Sequence, residues 1–376
     1  MNILQLSCHF RPNVGGVETH LNDLVTELVR KKHNVFVLTY RPLMSDAKWK
    51  ILEKQKGLTI FRIPWIKGYF YKLVKSPIVE FMYLLPGLFI VLPFVLFIKK
   101  FDVIHSHGLV AGFVGMFWGK VFDIKTVVST HSVYEFPKNG LYPFFVKWMF
   151  NSTDKVLTLS KQSKKELVGL GVDEKKIGVF TYWVDLDRFK VTGNKLQAKK
   201  KLKWKYKFVV LFVGRLVEEK GILILLEAAK KWNKNITLVI VGTGPLEKKI
   251  RNSKSEIRNI KFIGRVENDE LPKYYNAADV TIVPSIHEEG FGRVILESLA
   301  CGTPVIGSNR GAIPEAMDET VGKLINVTPE NIKDAVGYCY EHPEKLMKSS
   351  KKARIYAEQK YGSENVRTII NYYIKK

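Results

Sequence analysis

The sequence EGFGRVILE, from Glu289 to Glu297, places two glutamates eight positions apart at the junction of a loop and a helix. The β-branched run before it, residues 278–285, predicts a strand that ends in turn residues. After it, Gly302 and Pro304 stop the helix, and a second strand starts at Val305. Strand, loop, helix and strand in this order are typical of an open α/β sheet, where ligands bind beyond the carboxyl ends of the strands.

The spacing of the two glutamates suggests a long ligand. Glu289 would precede the helix, near the backbone N–H groups of Phe291 and Gly292 at its positive end. Glu297 would lie about 9 Å further along, at 1.5 Å per residue. A sugar nucleotide, with hydroxyls at both ends and phosphates between them, fits this layout. The alternative is that Glu289 only complements the helix dipole and that Glu297 is solvated.

Composition favours a two-domain protein with anionic partners. The chain has 376 residues and a formal net charge of +24. That charge suits nucleoside diphosphates, anionic lipid surfaces or nucleic acid. We expect no nucleic-acid partner, because we find no RNA-binding signature and no compact basic module. Three scattered cysteines suit a reducing compartment. The N-terminus lacks a signal-peptide pattern, so we expect a cytoplasmic protein.

The first half begins with a strand at residues 2–6, followed by Gly15 and Gly16 before an amphipathic helix at 17–32. Glycines before a helix N-terminus let an anion approach exposed N–H donors. Strands are predicted at 35–39 and 58–63.

Residues 77–98 form a long apolar run, for which three structures stay open. It is a membrane-spanning helix, a fully buried helix, or a helix with one face on a membrane. Glu80, Pro86 and Pro93 interrupt the run and argue against a span. Four lysines flank it, as expected beside anionic lipid: Lys72, Lys75, Lys99 and Lys100.

The next two predicted strands carry histidines within them or at their ends. The strand at 102–108 carries His105 and His107, which share one face by the period of two. The strand at 126–130 delivers His131. His-x-His also occurs in metal sites, but no suitable third ligand is near in sequence, so we expect no metal. The aromatic segment 141–149 is either core or an acceptor-side surface.

The second half repeats the alternation of strands and helices seen in the first half. A buried strand at 208–213 leads to Arg215 and Lys220, two cations where a diphosphate would meet a helix start. The strand at 236–241 leads to Gly242, a loop of close approach. The strand at 260–264 leads to Val266, a wall for a nucleobase.

These motifs together resemble the retaining glycosyltransferases of family 4, which have the GT-B fold. The resemblance rests on the E-x7-E string, on GGxE at Gly15, on the Arg215/Lys220 pair and on a GGxPE-like loop at 311–315. It extends over essentially the whole chain. The sequence departs from the family at 181–185, where aromatics replace an Asn-Gly pair, and at Arg310, which replaces a glycine.

The resemblance implies an α/β protein with two Rossmann-like domains facing a central cleft. Residues 1–185 would form the acceptor domain and 186–355 the donor domain. Residues 356–376 would be a C-terminal helix that crosses back to the first domain.

It further implies retaining transfer of a hexosyl group from a UDP- or GDP-sugar, without metal or cofactor. The acceptor would be a membrane lipid, a lipid-linked glycan or a soluble saccharide. The motif at 104–108 with 130–132 is similar to enzymes that glycosylate phosphatidylinositol-type lipids. We therefore expect a peripheral protein on the inner face of the membrane, bound to its anionic surface.

The implied site residues fall into three groups. The catalytic residues are His131 and Glu289. The donor-binding residues are Gly15, Gly16, Arg215, Lys220, Gly242, Val266, Phe291, Gly292 and Glu297. The acceptor-side candidates are His107, Tyr142 and Trp148.

Overall fold

The structure is a computed structural model that describes residues 1–13, 15–43, 47–66, 77–131, 136–137, 140–252 and 259–374. Lys72, Lys75 and Ser132, which the sequence analysis singled out or included in a motif, lie outside these residues. The chain forms two compact units. The first comprises Met1–Thr181 with Glu364–Lys376, and the second comprises Tyr182–Ser363.

An eight-stranded sheet organises the first unit. Its strands are β1 (Asn2–Ser7), β2 (Asn34–Tyr40), β3 (Leu52–Gln55), β4 (Leu58–Ile63), β5 (Val103–His107), β6 (Lys125–Ser129), β7 (Lys155–Thr158) and β8 (Ile177–Val179). Their order is β3-β4-β2-β1-β5-β6-β7-β8. Only the β3–β4 pair is antiparallel. The six strands from β4 to β7 follow the doubly wound order, and the winding reverses between β1 and β5.

Helices of the first unit connect these strands. They are α1 (Gly16–Arg30), α2 (Pro77–Ile98), α3 (Leu109–Val121), α4 (Leu141–Ser152) and α5 (Lys161–Gly169). The prolines Pro86 and Pro93 lie inside α2 and do not end it.

Helix α2 is buried on one face only. Leucines spaced by four residues, Leu84, Leu88, Leu92 and Leu96, enter the core. Exposed residues follow the same spacing on the other face, among them Met82, Ile90 and Phe94. The helix is long and apolar enough to cross a membrane, and 28% of that stretch is buried. The fully buried alternative is therefore wrong.

The second unit has a six-stranded, all-parallel sheet. Its strands are β9 (Phe208–Val213), β10 (Ile236–Val241), β11 (Ile260–Gly264), β12 (Val280–Val283), β13 (Val305–Ser308) and β14 (Gly322–Ile325). The order β11-β10-β9-β12-β13-β14 is again doubly wound and reverses between β9 and β12. Strands such as FVVLFV in β9 are apolar throughout because helices cover both faces of a parallel sheet.

The remaining helices complete the chain. They are α6 (Lys195–Lys201), α7 (Ile222–Lys230), α8 (Glu247–Asn252), α9 (Leu271–Ala277), α10 (Arg293–Ala300), α11 (Ile313–Ala316), α12 (Pro329–Glu341), α13 (Pro343–Lys360) and α14 (Val366–Ile374). Of these, α14 alone belongs to the first unit. The expected α/β class, with two doubly wound parallel sheets, is confirmed.

Candidate active site

Two loops of the second unit meet where the winding of its sheet reverses. One follows β9 and ends in a short 3-10 turn, Glu218–Lys220, directly before α7. The other follows β12 and contains Ser285 and Glu289. Because β9 and β12 are neighbours, both loops leave the same edge of the sheet. The backbone N–H of Ile286 donates to the carbonyl of Glu219 at 2.9 Å and ties the loops together.

Glu289 is the centre of a polar cluster in these loops. The Lys220 Nζ forms an ion pair with Glu289 Oε1, and the Ser285 hydroxyl donates to the same oxygen at 2.6 Å. The His287 Nε2 lies 3.9 Å from Oε2. Burial would raise the pKa of Glu289, but the Lys220 ammonium, His287 and these hydrogen bonds outweigh it and hold the pKa below its usual value. Glu289 is therefore a carboxylate at neutral pH, with its orientation fixed.

The loop after β13 contacts the backbone of Glu289. The N–H of Ala312 donates to the Glu289 carbonyl at 2.9 Å. Gly311 has φ +58°, and a Cβ there would lie 2.5 Å from the Glu289 nitrogen. Only glycine fits this contact without displacing the Glu289 backbone. Arg310, which departs from the family pattern, donates its guanidinium to the Ile286 carbonyl and so joins the same loops.

We expect Gly311→Ala to impair activity by moving Glu289. The added methyl group must push the Glu289 backbone away, and the positive φ adds about 1–2 kcal/mol of strain. Turnover should fall at least tenfold, because a 1 Å misplacement at a site can cost about 10² in rate. Steady-state kinetics and thermal unfolding of the variant would measure both effects.

Gly337→Ala is the matched control, since Gly337 lies within helix α12 and nothing stands within 4 Å of a Cβ there. This second variant should gain about 1 kcal/mol of stability and keep full turnover. Equal turnover in the two variants would contradict the packing role of Gly311.

Glu297 is buried rather than solvated, so the solvated alternative is wrong. Its side chain lies on α10 and the residue is 4% exposed. The Tyr275 hydroxyl donates to Oε2 at 2.9 Å, and the Asn268 amide lies 3.5 Å from Oε1. The Arg293 Nε lies 3.7 Å from Oε1. Burial first, and then the Glu297 charge, raise the pKa of Tyr275 well above its usual value, so the phenol remains a donor.

The other expected donor residues follow the carboxyl ends of strands in the same sheet or begin α10. Gly242 packs against the Gly214 loop so closely that a Cβ would lie 1.8 Å from the Gly214 oxygen. Arg215 is exposed in the loop after β9, and Val266 is half-buried after β11. Gly292 has φ +74° and caps α10.

The aromatic departure at residues 182–183 has a local explanation. Phe291 is buried between the rings of Tyr182 and Tyr361, at centroid distances of 6.3 and 6.0 Å. The Arg293 guanidinium lies 5.9 Å from the Tyr182 ring and donates to the Trp183 carbonyl at 3.4 Å. These aromatic residues therefore pack against the N-terminal end of α10, the helix that carries Glu297. The Phe291 side chain serves packing, which leaves its backbone for any ligand contact.

In the first unit, three histidines line up at the reversal between β1 and β5. The register pairs Gln5 with His105 and His107 with Ser129, so side chains of β1, β5 and β6 lie on one face. The rings of His105 and His107 are 4.3 Å apart, which confirms their shared face. The His107 Nδ1 lies 3.0 Å from His131 Nε2.

Burial keeps this cluster neutral. It lowers the pKa of His131 and of His105 to about 3, the latter with a further contribution from His131. Burial and the neighbouring histidines also lower the pKa of His107 well below its usual value. At neutral pH the cluster therefore offers hydrogen-bonding groups without positive charge.

We expect the histidine cluster to make the first unit acid-sensitive. The folded-state pKa values lie below the unfolded value of about 6.5, so the unfolded chain binds more protons as the pH falls. The free energy of unfolding should therefore be highest above about pH 7. It should drop by up to about 1.4 kcal/mol per pH unit for each buried histidine between about pH 6 and 4.

Urea unfolding at several pH values would measure this slope, and a His131→Gln variant should show a shallower one. A free energy of unfolding independent of pH below 7, or an unchanged slope in the variant, would contradict the buried neutral state.

The remaining first-unit candidates differ in exposure. Gly15 precedes α1, and a Cβ there would meet the Glu18 carboxylate, whereas Gly16 has open space within 4 Å. Trp148 is exposed on α4, and Tyr142 is half-buried on the same helix. His107, the third acceptor-side candidate, is buried inside the histidine cluster rather than exposed at the surface.

Sequence reasoning missed several partners of these residues, among them Gln5, Tyr373 and Ser285. Gln5 and Tyr373 form hydrogen bonds to the histidine cluster, although they are separated by 368 positions in sequence. Ser285 falls at the end of the predicted strand segment 278–285, where nothing in the pattern marks it as a partner of Glu289. No local pattern marks a residue whose partner lies on a distant segment. Among the described residues, no group of three or more His, Cys, Asp or Glu side chains is placed to hold a metal ion.

Two family models match the chain in succession. Residues 14–188 match Glycosyltransferase Family 4, and residues 194–356 match Glycosyl transferases group 1. An uncharacterized glycosyltransferase of Methanocaldococcus jannaschii is 29% identical over 88% of this chain and 86% of its own. The GPI3 subunit of phosphatidylinositol N-acetylglucosaminyltransferase from Saccharomyces cerevisiae is 23% identical over 84% of this chain and 70% of its own.

Solved structures share the fold. The Anabaena protein HepE, crystallised in complex with UDP, superposes with a TM-score of 0.77 over 99% of both chains, at 20% identity. Its likeness to this chain shows the two-domain α/β architecture. Taken with the two family models and the two parallel sheets, these matches identify the chain as a glycosyltransferase of the GT-B fold.

Proposed function

We propose that this enzyme transfers a hexosyl group from a nucleoside diphosphate sugar to a lipid hydroxyl, with retention of anomeric configuration. The observation that carries the proposal is the Lys220–Glu289 ion pair, where the loops after β9 and β12 meet. The pair sets a cation and a carboxylate side by side. A nucleoside diphosphate sugar needs a cation to bind its phosphate oxygens and a carboxylate to accept from its sugar hydroxyls.

The cation would serve the leaving group. Lys220 lies directly before α7, so its ammonium adds to the positive end of that helix dipole. An ammonium has three donors, so its bond to Glu289 is compatible with a second bond to a phosphate oxygen. Arg215, exposed in the same loop, would provide a further cation. Charge that develops on the departing diphosphate would be stabilised by these groups.

The carboxylates would hold the sugar and the ribose. Glu289 is ionised and accepts at Oε1 from Lys220 and Ser285, which leaves Oε2 toward His287 for a sugar hydroxyl. Glu297 lies about one turn into α10. It would contact the ribose through the carboxylate that accepts from Tyr275. We assign no nucleophile, and the acceptor hydroxyl would attack from the face of the leaving group.

The names of similar proteins support the donor and acceptor classes. HepE was crystallised with UDP, which is the nucleotide part of a UDP-sugar. The yeast GPI3 subunit belongs to an enzyme named for phosphatidylinositol. We therefore place a UDP-sugar first among donors and a phosphatidylinositol-type lipid first among acceptors, with a soluble saccharide as the alternative acceptor.

The surface of the first unit supports a lipid acceptor. The exposed face of α2 continues onto the neighbouring helices α3 and α4. The ring centroids of Phe81 and Phe145 of α4 are 5.7 Å apart, and those of Phe89 and Phe117 of α3 are 5.1 Å apart. We define the apolar face by its exposed residues: Ile78, Met82, Ile90, Phe94, Phe97, Val121, Leu141, Phe144 and Trp148. An exposed apolar surface of this kind is typical of an interaction site, and the chain's charge of +24 favours anionic lipid.

A donor panel tests the proposal. The purified enzyme is incubated with UDP-, GDP- and ADP-sugars, first alone and then with phosphatidylinositol in mixed micelles or with a soluble saccharide. We expect hydrolysis of one donor, acceleration by the lipid, and a product of unchanged anomeric configuration by NMR. Inversion would overturn the mechanism. Acceleration by the saccharide alone would overturn the acceptor.

We also expect turnover to be independent of divalent metal, because Lys220 and Arg215 supply the positive charge. Adding EDTA should leave the rate of the best donor within twofold of its untreated value. Loss of activity in EDTA, restored by Mg²⁺ or Mn²⁺, would contradict this prediction.

A further inference from the structure

The Tyr275 hydroxyl is a fixed point beside Glu297 in the second unit. Tyr275 lies on α9 and is fully buried, with its ring against Phe189 at a centroid distance of 6.2 Å. The Thr303 hydroxyl donates to the Tyr275 carbonyl at 2.8 Å and holds the backbone of the same residue. Neither contact uses the phenolic oxygen. The ring and the backbone therefore place this oxygen, which lies 2.9 Å from Glu297 Oε2.

The carboxylate of Glu297 meets different partners at its two oxygens. An ionised carboxylate only accepts, so the phenol of Tyr275 donates to Oε2 and this bond has one direction. At Oε1, the Arg293 Nε lies at 3.7 Å and the Asn268 amide at 3.5 Å. Together these partners define the rotation of the carboxylate group about its last side-chain bond.

This orientation matters because Glu297 is almost fully buried. Where water is excluded, a hydrogen bond to a carboxylate is stronger than in solution, and a lost bond is not replaced by water. A carboxylate offers about four acceptor positions, so its bond from Tyr275 is compatible with bonds from ribose hydroxyls. The phenol is neutral, so it orients Glu297 without adding a cation that would compete for the diphosphate.

We propose that Tyr275 is a positioning residue that orients Glu297 to accept from the ribose, and that the site thereby distinguishes ribonucleotides from 2′-deoxyribonucleotides. The inference rests on the proposed function, in which Glu297 contacts the ribose of the donor. A carboxylate that is oriented before the donor arrives does not have to be ordered on binding, so each hydroxyl contributes more to affinity. A 2′-deoxyribose lacks one hydroxyl and leaves a buried acceptor without that donor.

The test compares the binding of UDP and 2′-deoxy-UDP to the full chain by isothermal titration calorimetry, with GDP and 2′-deoxy-GDP as a second pair. We expect the parent protein to bind one ribonucleotide at least about tenfold more tightly than its deoxy form, on the scale of one hydrogen bond to a charged group. In Tyr275→Phe this preference should fall below about threefold, because the ribonucleotide loses affinity and the deoxy form changes less. A general loss of structure would weaken both nucleotides alike and leave their ratio unchanged.

Two further variants separate positioning from packing. Tyr274→Phe is the matched control, the same substitution one residue earlier on α9, where the ring lies 5.9 Å from that of Trp204. It should keep the parent preference. Glu297→Gln should lose the preference by itself, and adding Tyr275→Phe to it should change the ratio no further, because the two residues act through one contact.

The outcomes distinguish Tyr275 from the proposed function. If Glu297→Gln loses the preference but Tyr275→Phe keeps it, or binds the ribonucleotide more tightly, the positioning role of Tyr275 alone is overturned. If the parent protein binds neither ribonucleotide, or binds ribo and deoxy forms equally, the contact between Glu297 and the ribose fails, and the role of Tyr275 fails with it. A preference that survives in Glu297→Gln has the same consequence. The parent and Glu297→Gln measurements do not depend on the folding of Tyr275→Phe.

Discussion

Replacing Lys220 with alanine should lower turnover by about 10²–10³-fold, the equivalent of about 2.7–4 kcal/mol of transition-state stabilisation. The reason is that, in the proposed mechanism, Lys220 provides charge where the diphosphate departs, and the neighbouring Glu289 carboxylate is largely buried. The variant should still fold, because Lys220 lies in a loop at the edge of the sheet rather than in the core. Single-turnover kinetics and circular dichroism would measure the two properties.

The ion pair makes a double-mutant cycle informative. Lys220→Ala alone leaves the buried Glu289 carboxylate without its counter-charge, which costs free energy of its own. Glu289→Gln removes that charge, and the double variant removes both. If Lys220 acts only by holding Glu289, the double variant will be no slower than Glu289→Gln. We expect it to be slower, because in the proposed mechanism Lys220 also binds the diphosphate.

Lys231→Ala serves as the charge-matched control. Lys231 is exposed just beyond α7 and pairs with Glu330 at 3.0 Å. Its loss changes the net charge by the same amount and should leave turnover unchanged. Equal turnover of a folded Lys220→Ala variant and this control would end the assignment of Lys220 to the leaving group.

Local sequence pattern was sufficient for most strands of the two sheets, although β3 and β14 were not predicted. Apolar runs such as those of β9 and β10 predict buried parallel strands because both of their faces are covered. Strand β3 was missed because its sequence, LEKQ, is mostly polar and its pairing depends on the tight turn at Gly57, which has φ +76°. The resemblance supplied the loop residues Lys220 and Glu289, and the structure joined them.

What the sequence could not predict are contacts between distant segments. The bond from Gln5 to Tyr373 joins nearly the two ends of the chain. Glu297 reads as a solvated helix residue until α9 brings Tyr275 against it. In each case the deciding partner is set by tertiary packing, and no periodicity within either segment encodes it.

The second large effect concerns the apolar face of the first unit. We expect the chain to bind vesicles that contain anionic lipid, and the double variant Phe94→Asp/Phe97→Asp to lose at least about 100-fold in partitioning. The two side chains are 64% and 80% exposed. Burying one phenylalanine contributes about 1.5–3 kcal/mol, so removing two costs about two orders of magnitude before any repulsion by anionic lipid.

Electrostatic attraction should account for the rest of the binding. Lys99 and Lys100 follow the end of α2, and a lysine near an anionic surface contributes about 1 kcal/mol. Binding should therefore weaken from low to physiological salt without disappearing, because the apolar contribution is not screened. Co-sedimentation at both salt concentrations would separate the two contributions.

A control pair decides whether the apolar face itself is responsible. Met347 and Ile355 are exposed apolar residues of the second unit, at 56% and 53%, and their replacement by aspartate adds the same negative charge elsewhere. If Met347→Asp/Ile355→Asp loses binding as severely, the attraction is a general effect of net charge. If the unmodified protein stays in the supernatant at both salt concentrations, the membrane assignment fails. The donor-binding loops of the second unit would then serve a soluble saccharide acceptor, because nothing in the Lys220–Glu289 pair depends on lipid.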